Sequence, residues 1–126
     1  MDNLTYEQKI SILRILLDIA TADNLYDERE IAFFDKTMKE FGLDRKAAKD
    51  VEAKSSLLAL AEISKYSQEQ KEGLSKLMGQ MIVIDEDINY NEILIYNIVN
   101  DFCKINNDFD IEDYPNLSRS GDFIPD

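Results

Sequence analysis

Helix-breaking residues are almost absent from the first hundred residues of this chain. Both prolines, Pro115 and Pro125, lie near the C-terminal end, and only Gly42, Gly73 and Gly79 precede residue 120. Proline and glycine are the residues that most disfavour a helix interior, and no segment alternates apolar and polar residues as a strand would. The sequence therefore predicts an all-α domain up to about residue 105, a single bundle of about six or seven helices.

The starts of the helices are indicated by capping residues. Thr5 followed by Gln8, and Ser67 followed by Gln70, have the spacing of a capping box, in which the hydroxyl group accepts an early backbone N–H and the amide reaches back. The first helix is apolar on nearly every side except one narrow polar stripe, so we expect it at the centre of the core. The predicted helices cover residues 5–22, 27–41, 45–54, 57–66, 67–84 and 90–105.

The chain contains an internal repeat, in which residues 5–43 correspond to residues 67–105. Corresponding residues are 62 positions apart, and six of the 39 pairs are identical, mainly at helix starts and turns. Residues 44–66 supply two short connecting helices, and two copies are too few for a solenoid. We therefore expect two helix–acidic turn–helix units that pack on each other within one domain, residues 1–105.

Each copy carries an acidic turn between its two helices. The alternate polar residues at positions 85, 87 and 89 are like the start of an EF-hand loop, but that loop needs glycine at its sixth position and glutamate at its twelfth. Tyr90 and Tyr96 stand at those two positions, so we exclude an EF-hand. The residues that the two turns share are Asp23, Asp27 and Glu30 in the first copy and Asp85, Asn89 and Glu92 in the second.

Two interpretations of these turns remain open. In the first, Asp27 with Glu30 forms a further capping box, and Asn89 with Glu92 forms another, each cap being worth about 1 kcal/mol. In the second, the turns form a cation site, because clustered carboxylates repel unless a hard cation such as Ca²⁺ or Mg²⁺ joins them. The second interpretation requires the two turns to meet in space.

The acidic turns also carry a resemblance to a known family. TerB-like domains have a signature of alanine, aspartate and glycine followed by an acidic residue and a glutamate, which resembles IATADNLYDEREIAFF. The second copy of that signature is similar to MIVIDEDINYNEILIY, and the connecting region to LLALAEISKYSQEQKEGLSKLMGQM. The family includes the tellurite-resistance TerB proteins and the N-terminal domain of certain membrane-anchored DnaJ-type co-chaperones. The resemblance covers roughly residues 5–105.

The resemblance implies an all-helical bundle of about seven helices with internal pseudo-symmetry. It also implies a role in stress response, through metal sensing or binding, and in membrane-associated or phage-defence complexes. The chain departs from the signature where Asn24 and Glu86 replace the usual glycine and where Asn89 lowers the charge. Matched by position, the implied metal ligands are Asp23, Asp27, Glu30, Asp85, Asn89 and Glu92.

Charge and composition exclude several classes of function. The chain has 26 acidic and 14 basic residues, and a net charge of −12 disfavours binding to nucleic acids and to anionic membranes. Histidine is absent and Cys103 is the only cysteine, which excludes His-dependent catalysis, an internal disulfide and zinc sites of the usual kind. We predict a protein that is not an enzyme. Without a signal-like start or a long apolar run, we expect it in the cytoplasm and not inserted in a membrane.

Residues 106–126 are predicted to be an acidic C-terminal tail, extended or disordered, because they hold six acids, one arginine and both prolines. The apolar residues among them leave two alternatives, a tail wrapped on its own domain or a segment that docks on a partner. With the resemblance, the sequence predicts a TerB-like interaction or sensing module of bacterial stress response, which binds another protein and takes Ca²⁺ or Mg²⁺ in its acidic turns. The alternative is a small acidic inhibitor or immunity-type protein that binds a basic protein partner.

Overall fold

The computed structural model describes residues 3–23 and 27–121, which form six helices and a two-stranded sheet. The predicted all-α single-domain bundle is therefore confirmed, while residues 24–26, which belong to the predicted turn, and residues 122–126 lie outside the described residues. The helices are α1 (Tyr6–Ala20), α2 (Glu28–Glu40), α3 (Arg45–Ala53), α4 (Ser56–Ile63), α5 (Gln68–Val83) and α6 (Tyr90–Phe102). The strands are β1 (Asp87–Asn89) and β2 (Ser118–Ser120), and a 3₁₀ turn covers Ile111–Asp113.

The internal repeat is visible in the bounds and caps of the helices. Helix α5 begins 62 residues after α1, and α6 begins and ends 62 residues after α2. Thr5 and Ser67 both form complete capping boxes. Helices α2 and α6 end in the same way, with a left-handed residue, Gly42 (φ 72°) or Lys104 (φ 55°), and a matching pair of backbone hydrogen bonds. The two units therefore share their local geometry although few of their residues are identical.

Helix α1 lies at the centre of the bundle and packs against each of the other five helices in the described structure. A helix surrounded in this way must be apolar on nearly all sides, as its sequence is. Its predicted central position is confirmed. The buried residues of α1 are Ile10, Ser11, Ile12, Leu13, Ile15, Leu16, Ile19 and Ala20.

The polar stripe of α1 is a helix–helix contact. The fully buried Ser11 donates to the carboxylate of Glu62 at 2.6 Å. The guanidinium of Arg14 donates to Asp18 at 2.6 Å and to the hydroxyl of Ser56 at 3.2 Å. Because Ser56 and Glu62 belong to α4, the stripe is the surface on which α4 packs, with its polar groups paired across the interface.

The buried face of α2 differs from the one that apolar spacing predicts. That spacing favours Ile31, Phe34, Met38 and Phe41 as the buried residues. In the structure Met38 is buried and the two phenylalanines are half-buried, but Ile31 is 37% exposed and the neighbouring Glu30 is 1% exposed. The helix is rotated so that a glutamate enters the interior in place of an isoleucine.

A parallel two-stranded sheet joins the C-terminal segment to the second acidic turn, and the sequence did not predict it. Strand β1 pairs with β2 so that Asp87 aligns with Ser118 and Asn89 with Ser120. Three residues are too few to show the alternation of a strand, and the two strands are far apart in the chain. The sheet therefore could not be inferred from a local pattern.

The described part of the predicted tail packs along the domain. The side chain of Asn107 donates to the hydroxyl of Ser75 at 2.9 Å, and the hydroxyl of Tyr96 donates to the carbonyl oxygen of Asn107. The ring of Phe109 meets Tyr96 edge-on at a centroid distance of 5.7 Å and stacks on Tyr114 at 5.6 Å. Of the two alternatives for the tail, this part follows the one in which it wraps onto its own domain.

Truncation of Phe109 tests whether these ring contacts hold the segment. We expect Phe109→Ala to lower the free energy of unfolding by about 1–2 kcal/mol, because it removes a half-buried ring and two aromatic contacts. The matched control is Phe102→Ala, whose ring is 56% exposed on α6, with an expected change below about 0.5 kcal/mol. Denaturant unfolding measures both, and equal losses would contradict a stabilising role for the segment.

Some apolar side chains remain at the surface. Leu94, Ile98 and Phe102 are spaced four residues apart on the outer face of α6 and are between 50% and 58% exposed. Their spacing places them in one stripe along the helix. None of the helices in the described ranges combines the length and the apolar character needed to cross a membrane.

Candidate functional site

One glutamate from each acidic turn lies in the interior of the bundle, and the two glutamates meet there. Glu30 is the third residue of α2 and Glu92 is the third residue of α6, and each is only 1% exposed. Their carboxyl groups are hydrogen-bonded to each other. Because the two residues hold equivalent positions in the repeat, the packing of one copy against the other brings them together. The contact between turns that a shared cation site requires is therefore present.

One buried oxygen of each of these two carboxyl groups has no hydrogen-bond donor in the described structure. Oε2 of Glu30 and Oε2 of Glu92 accept no N–H or O–H group from any described residue. No lysine or arginine in residues 3–23 and 27–121 forms an ion pair with either side chain. Two carboxylates in contact repel, so one of them must keep a proton to donate to the other.

The pKa values of both carboxyl groups are raised, as expected for two buried acids in contact. Burial, the hydrogen bond to Glu30 and the repulsion of its charge raise the pKa of Glu92 to about 10. Burial, with repulsion from Asp85 and Asp23, raises the pKa of Glu30 to about 7, although the hydrogen bond from Glu92 opposes this. Above about pH 7 the two carboxyl groups together therefore hold one shared proton and carry one negative charge.

Three further predicted site residues act on this pair. Burial raises the pKa of Asp85, and repulsion from Asp27 raises it further. Asp23 and Asp27 both add repulsion to Glu30. The pKa of Asp27 itself is lowered, chiefly because a backbone N–H of α2 donates to its carboxylate. Five of the six predicted residues therefore belong to one electrostatic cluster.

The N-caps of the capping interpretation are present, but the glutamates do not complete the two capping boxes. Asp27 accepts the backbone N–H two residues along at 2.7 Å, and Asn89 does the same at 2.8 Å. These are N-caps of α2 and α6. The returning halves of the two boxes are not formed between these four residues, because Glu30 and Glu92 turn inward to each other.

Asn89 is hydrogen-bonded to the fold through both polar atoms of its side chain. Its Oδ1 caps α6, and its amide group donates to the hydroxyl of Ser120 at 3.1 Å. The neighbouring carboxylate of Asp87, which the shared turn pattern did not include, accepts hydrogen bonds from Ser118 at 2.6 Å and from Ser120. The C-terminal strand is therefore fastened to the second acidic turn through Asp87 and Asn89.

Glu86 replaces the glycine of the signature and adopts a conformation typical of glycine. Its φ angle is 62°, in the left-handed region, and the turn is closed by Asp85, whose Oδ1 accepts the backbone N–H of Asp87 at 3.1 Å. A non-glycine residue in this region costs roughly 1–2 kcal/mol. Glu86 therefore keeps the turn shape that glycine would give, but at a cost in stability. The corresponding Asn24 lies outside the described residues.

At the centre of the cluster, the carboxyl groups of Glu30 and Glu92 share a proton. In the described part of the chain, no three cysteine, aspartate or glutamate side chains are placed so as to hold a metal ion. A cation at Glu30 and Glu92 would have to displace their shared proton, and nearby side chains would have to change rotamer. The donor set fits the ions expected from the sequence, because Ca²⁺ and Mg²⁺ take carboxylate oxygens.

Comparison with known proteins shows a likeness of fold. No family model matches the chain, and no curated protein matches it. A crystal structure of a protein of unknown function from Porphyromonas gingivalis is similar, with a TM-score of 0.69 and 20% identity. The match covers 85% of this chain and 90% of that chain. The similarity shows that another protein has the same overall arrangement of helices over most of its length.

Proposed function

We propose that the chain is a non-enzymatic, TerB-like interaction or sensing module of bacterial stress response, of the tellurite-resistance type, whose acidic cluster takes up Ca²⁺ or Mg²⁺. The observation that carries the proposal is the contact between Glu30 and Glu92. Two acids from equivalent turns are buried together, and in the described structure neither forms an ion pair with a lysine or arginine. Such an arrangement costs stability, and strongly perturbed acids of this kind are commonest at functional sites.

A divalent cation would relieve the repulsion that the proton now relieves in part. It would replace the proton shared by Glu30 and Glu92, and Asp85, Asp23 and Asp27 add to the negative potential that attracts it. Because binding releases a proton, affinity should rise with pH. The cation would join the two copies of the repeat, so the presence of the ion would change the stability of the bundle, and this change is a physical basis for sensing.

Thermal unfolding in Ca²⁺, in Mg²⁺ and in a chelator tests this proposal. At a free cation concentration of ten times the dissociation constant, binding adds about 1.4 kcal/mol to the free energy of unfolding. We expect a rise in Tm that is larger at pH 8 than at pH 6 and is lost in Asp85→Asn. The matched control is Asp101→Asn, an exposed aspartate on α6. No rise at millimolar cation would contradict the proposal, as would equal loss in both variants, which would indicate general charge screening.

A further inference from the structure

The outer face of α6 carries an apolar stripe that the described part of the chain leaves exposed. Leu94, Ile98 and Phe102 are each at least half exposed and lie four residues apart, so they form one ridge along the helix. Glu92, which belongs to the acidic pair, is buried on the inner side of the same helix. Large apolar side chains grouped on one exposed face are typical of an interaction surface.

The internal repeat shows that this position in the fold does not require apolar residues. The positions of α2 that correspond to the stripe hold Ala32, Lys36 and Glu40, all of them exposed. Lys36 and Glu40 form an ion pair at 4.0 Å across one helical turn. The two helices have the same length and hold equivalent places in their copies, yet one carries a solvated ion pair where the other carries large apolar side chains. The stripe is therefore a property of the second copy that folding alone does not demand.

The charge around the stripe is low for so acidic a chain. Residues 90–104 include three charged residues, the buried Glu92 and the exposed Asp101 and Lys104, whereas the corresponding residues 28–42 include seven. The two exposed charges cancel, although the whole chain has a net charge of −12. A basic partner would be matched by an acidic rim, which this face lacks. A face without net charge is what two copies of an acidic chain need in order to meet.

The spacing of the stripe also makes it complementary to itself. Ridges of residues four apart pack into the same ridges of a second helix in the commonest class of helix packing. When two copies of α6 lie antiparallel with Ile98 at the centre, Leu94 of each copy faces Phe102 of the other, because both are four residues from Ile98. The same patch then serves on both sides of the contact, as a dimer with two-fold symmetry requires.

We propose that two copies of the chain associate through the stripes of their α6 helices, in an antiparallel pair centred on Ile98. Helix α6 has 13 residues and is therefore about 20 Å long. A contact along one such helix buries about 400 Å² per copy, half that of a standard interface. The expected dimer is therefore weak, with a Kd on the order of 100 µM. The inference goes beyond the proposed function and uses none of the residues of the acidic cluster.

Sedimentation of the full chain in a chelator tests the dimer independently of cation binding. Between about 10 µM and about 1 mM, a range around the expected Kd, the average mass should rise from that of one chain towards that of two. Because each copy has a net charge of −12, the Kd should fall several-fold when NaCl is raised from about 0.05 M to about 0.5 M. The mass of one chain at every concentration would overturn the proposal. Association that weakens with salt would also overturn it, since it would indicate contact through opposite charges.

Two matched substitutions locate the contact. Leu94→Lys places a charge within the stripe and should weaken association by at least about tenfold. The control is Leu58→Lys, which makes the same change at a leucine of similar exposure on α4, 52% against 58%, and should leave the Kd within about twofold. Circular dichroism at a concentration where the chain is monomeric checks that both variants fold. Equal weakening by the two substitutions would mean that α6 is not the interface.

Cysteine cross-linking tests the antiparallel arrangement. Cys103 is 1% exposed, so an introduced surface cysteine is the one that reacts. Ile98→Cys should form a disulfide between copies under mild oxidation, because the central residues approach within about 7 Å. Leu94→Cys alone should cross-link at least about tenfold more slowly, whereas a mixture of Leu94→Cys and Phe102→Cys should join the two variants to each other. Fast cross-linking of Leu94→Cys alone would indicate parallel helices and overturn the proposed pair.

Discussion

Glu92→Gln should raise the free energy of unfolding by about 2–4 kcal/mol at pH 8. In the unmodified chain the pair must keep one proton at this pH, because burial and the contact between the two carboxyl groups oppose the ionisation of both acids. A glutamine amide donates the same hydrogen bond without having to hold a proton. The substitution therefore preserves the contact and removes the cost of keeping a carboxyl group protonated.

The pH dependence of this gain follows from the direction of the pKa shifts. The pKa of Glu92 is about 10 and that of Glu30 about 7 in the folded chain, against an ordinary value of 4.5. Between pH 4.5 and these values the folded state binds more protons than the unfolded state, so the pair destabilises the fold increasingly as pH rises. Below about pH 4.5 both acids are protonated in both states, and the gain from Glu92→Gln should vanish.

Denaturant unfolding at pH 4, 6 and 8 measures this effect. The matched control is Glu72→Gln, which makes the same chemical change at an exposed position on α5 and should shift the free energy of unfolding by less than about 0.5 kcal/mol at each pH. A gain for Glu92→Gln that is the same at pH 4 and pH 8 would show that the buried pair does not control the pH dependence. A loss of stability at pH 8 would show that the two carboxyl groups do not share a proton.

The helices were predictable because their signals are local. Scarcity of proline and glycine predicted an all-α chain, and Thr5 and Ser67 set helix starts that the structure places within one residue. The repeat was predictable from the shared offset of caps and turns. The residues that form one cap or turn lie within one or two helical turns of one another, and the repeat is a comparison of such local patterns.

The features that were missed depend on contacts between distant parts of the chain. Nothing near Glu30 in sequence indicates that it is buried, since its partner Glu92 belongs to the other copy. The polar stripe of α1 gave no sign that Ser11 would pair with Glu62 across a helix interface. Strand β1 exists because the C-terminal segment returns to pair with it. The repeat placed acidic residues at equivalent positions of two turns, but it did not show that the turns meet in space. The hydrogen bond between Asn89 and Ser120 depends on the same return of the chain.

Leu16→Ala should lower the free energy of unfolding by about 3–5 kcal/mol. Leu16 is fully buried on α1, and truncation both loses the transfer free energy of the side chain and leaves a cavity. The matched control is Leu94→Ala on α6, whose side chain is 58% exposed. Its expected loss is below about 1 kcal/mol. Thermal and denaturant unfolding of the two variants gives the comparison.

The equivalent position in the second copy makes this a test of the architecture as well as of burial. Met78 corresponds to Leu16 in the repeat and is equally buried on α5. Helix α1 packs against all the other helices in the described ranges, whereas α5 packs chiefly against α1, α6 and β1. Fewer rigid neighbours let a cavity collapse more readily, so Met78→Ala should cost about 2–3 kcal/mol, less than Leu16→Ala. Equal or reversed losses would mean that the two copies share the core evenly and that α1 is not its organising helix.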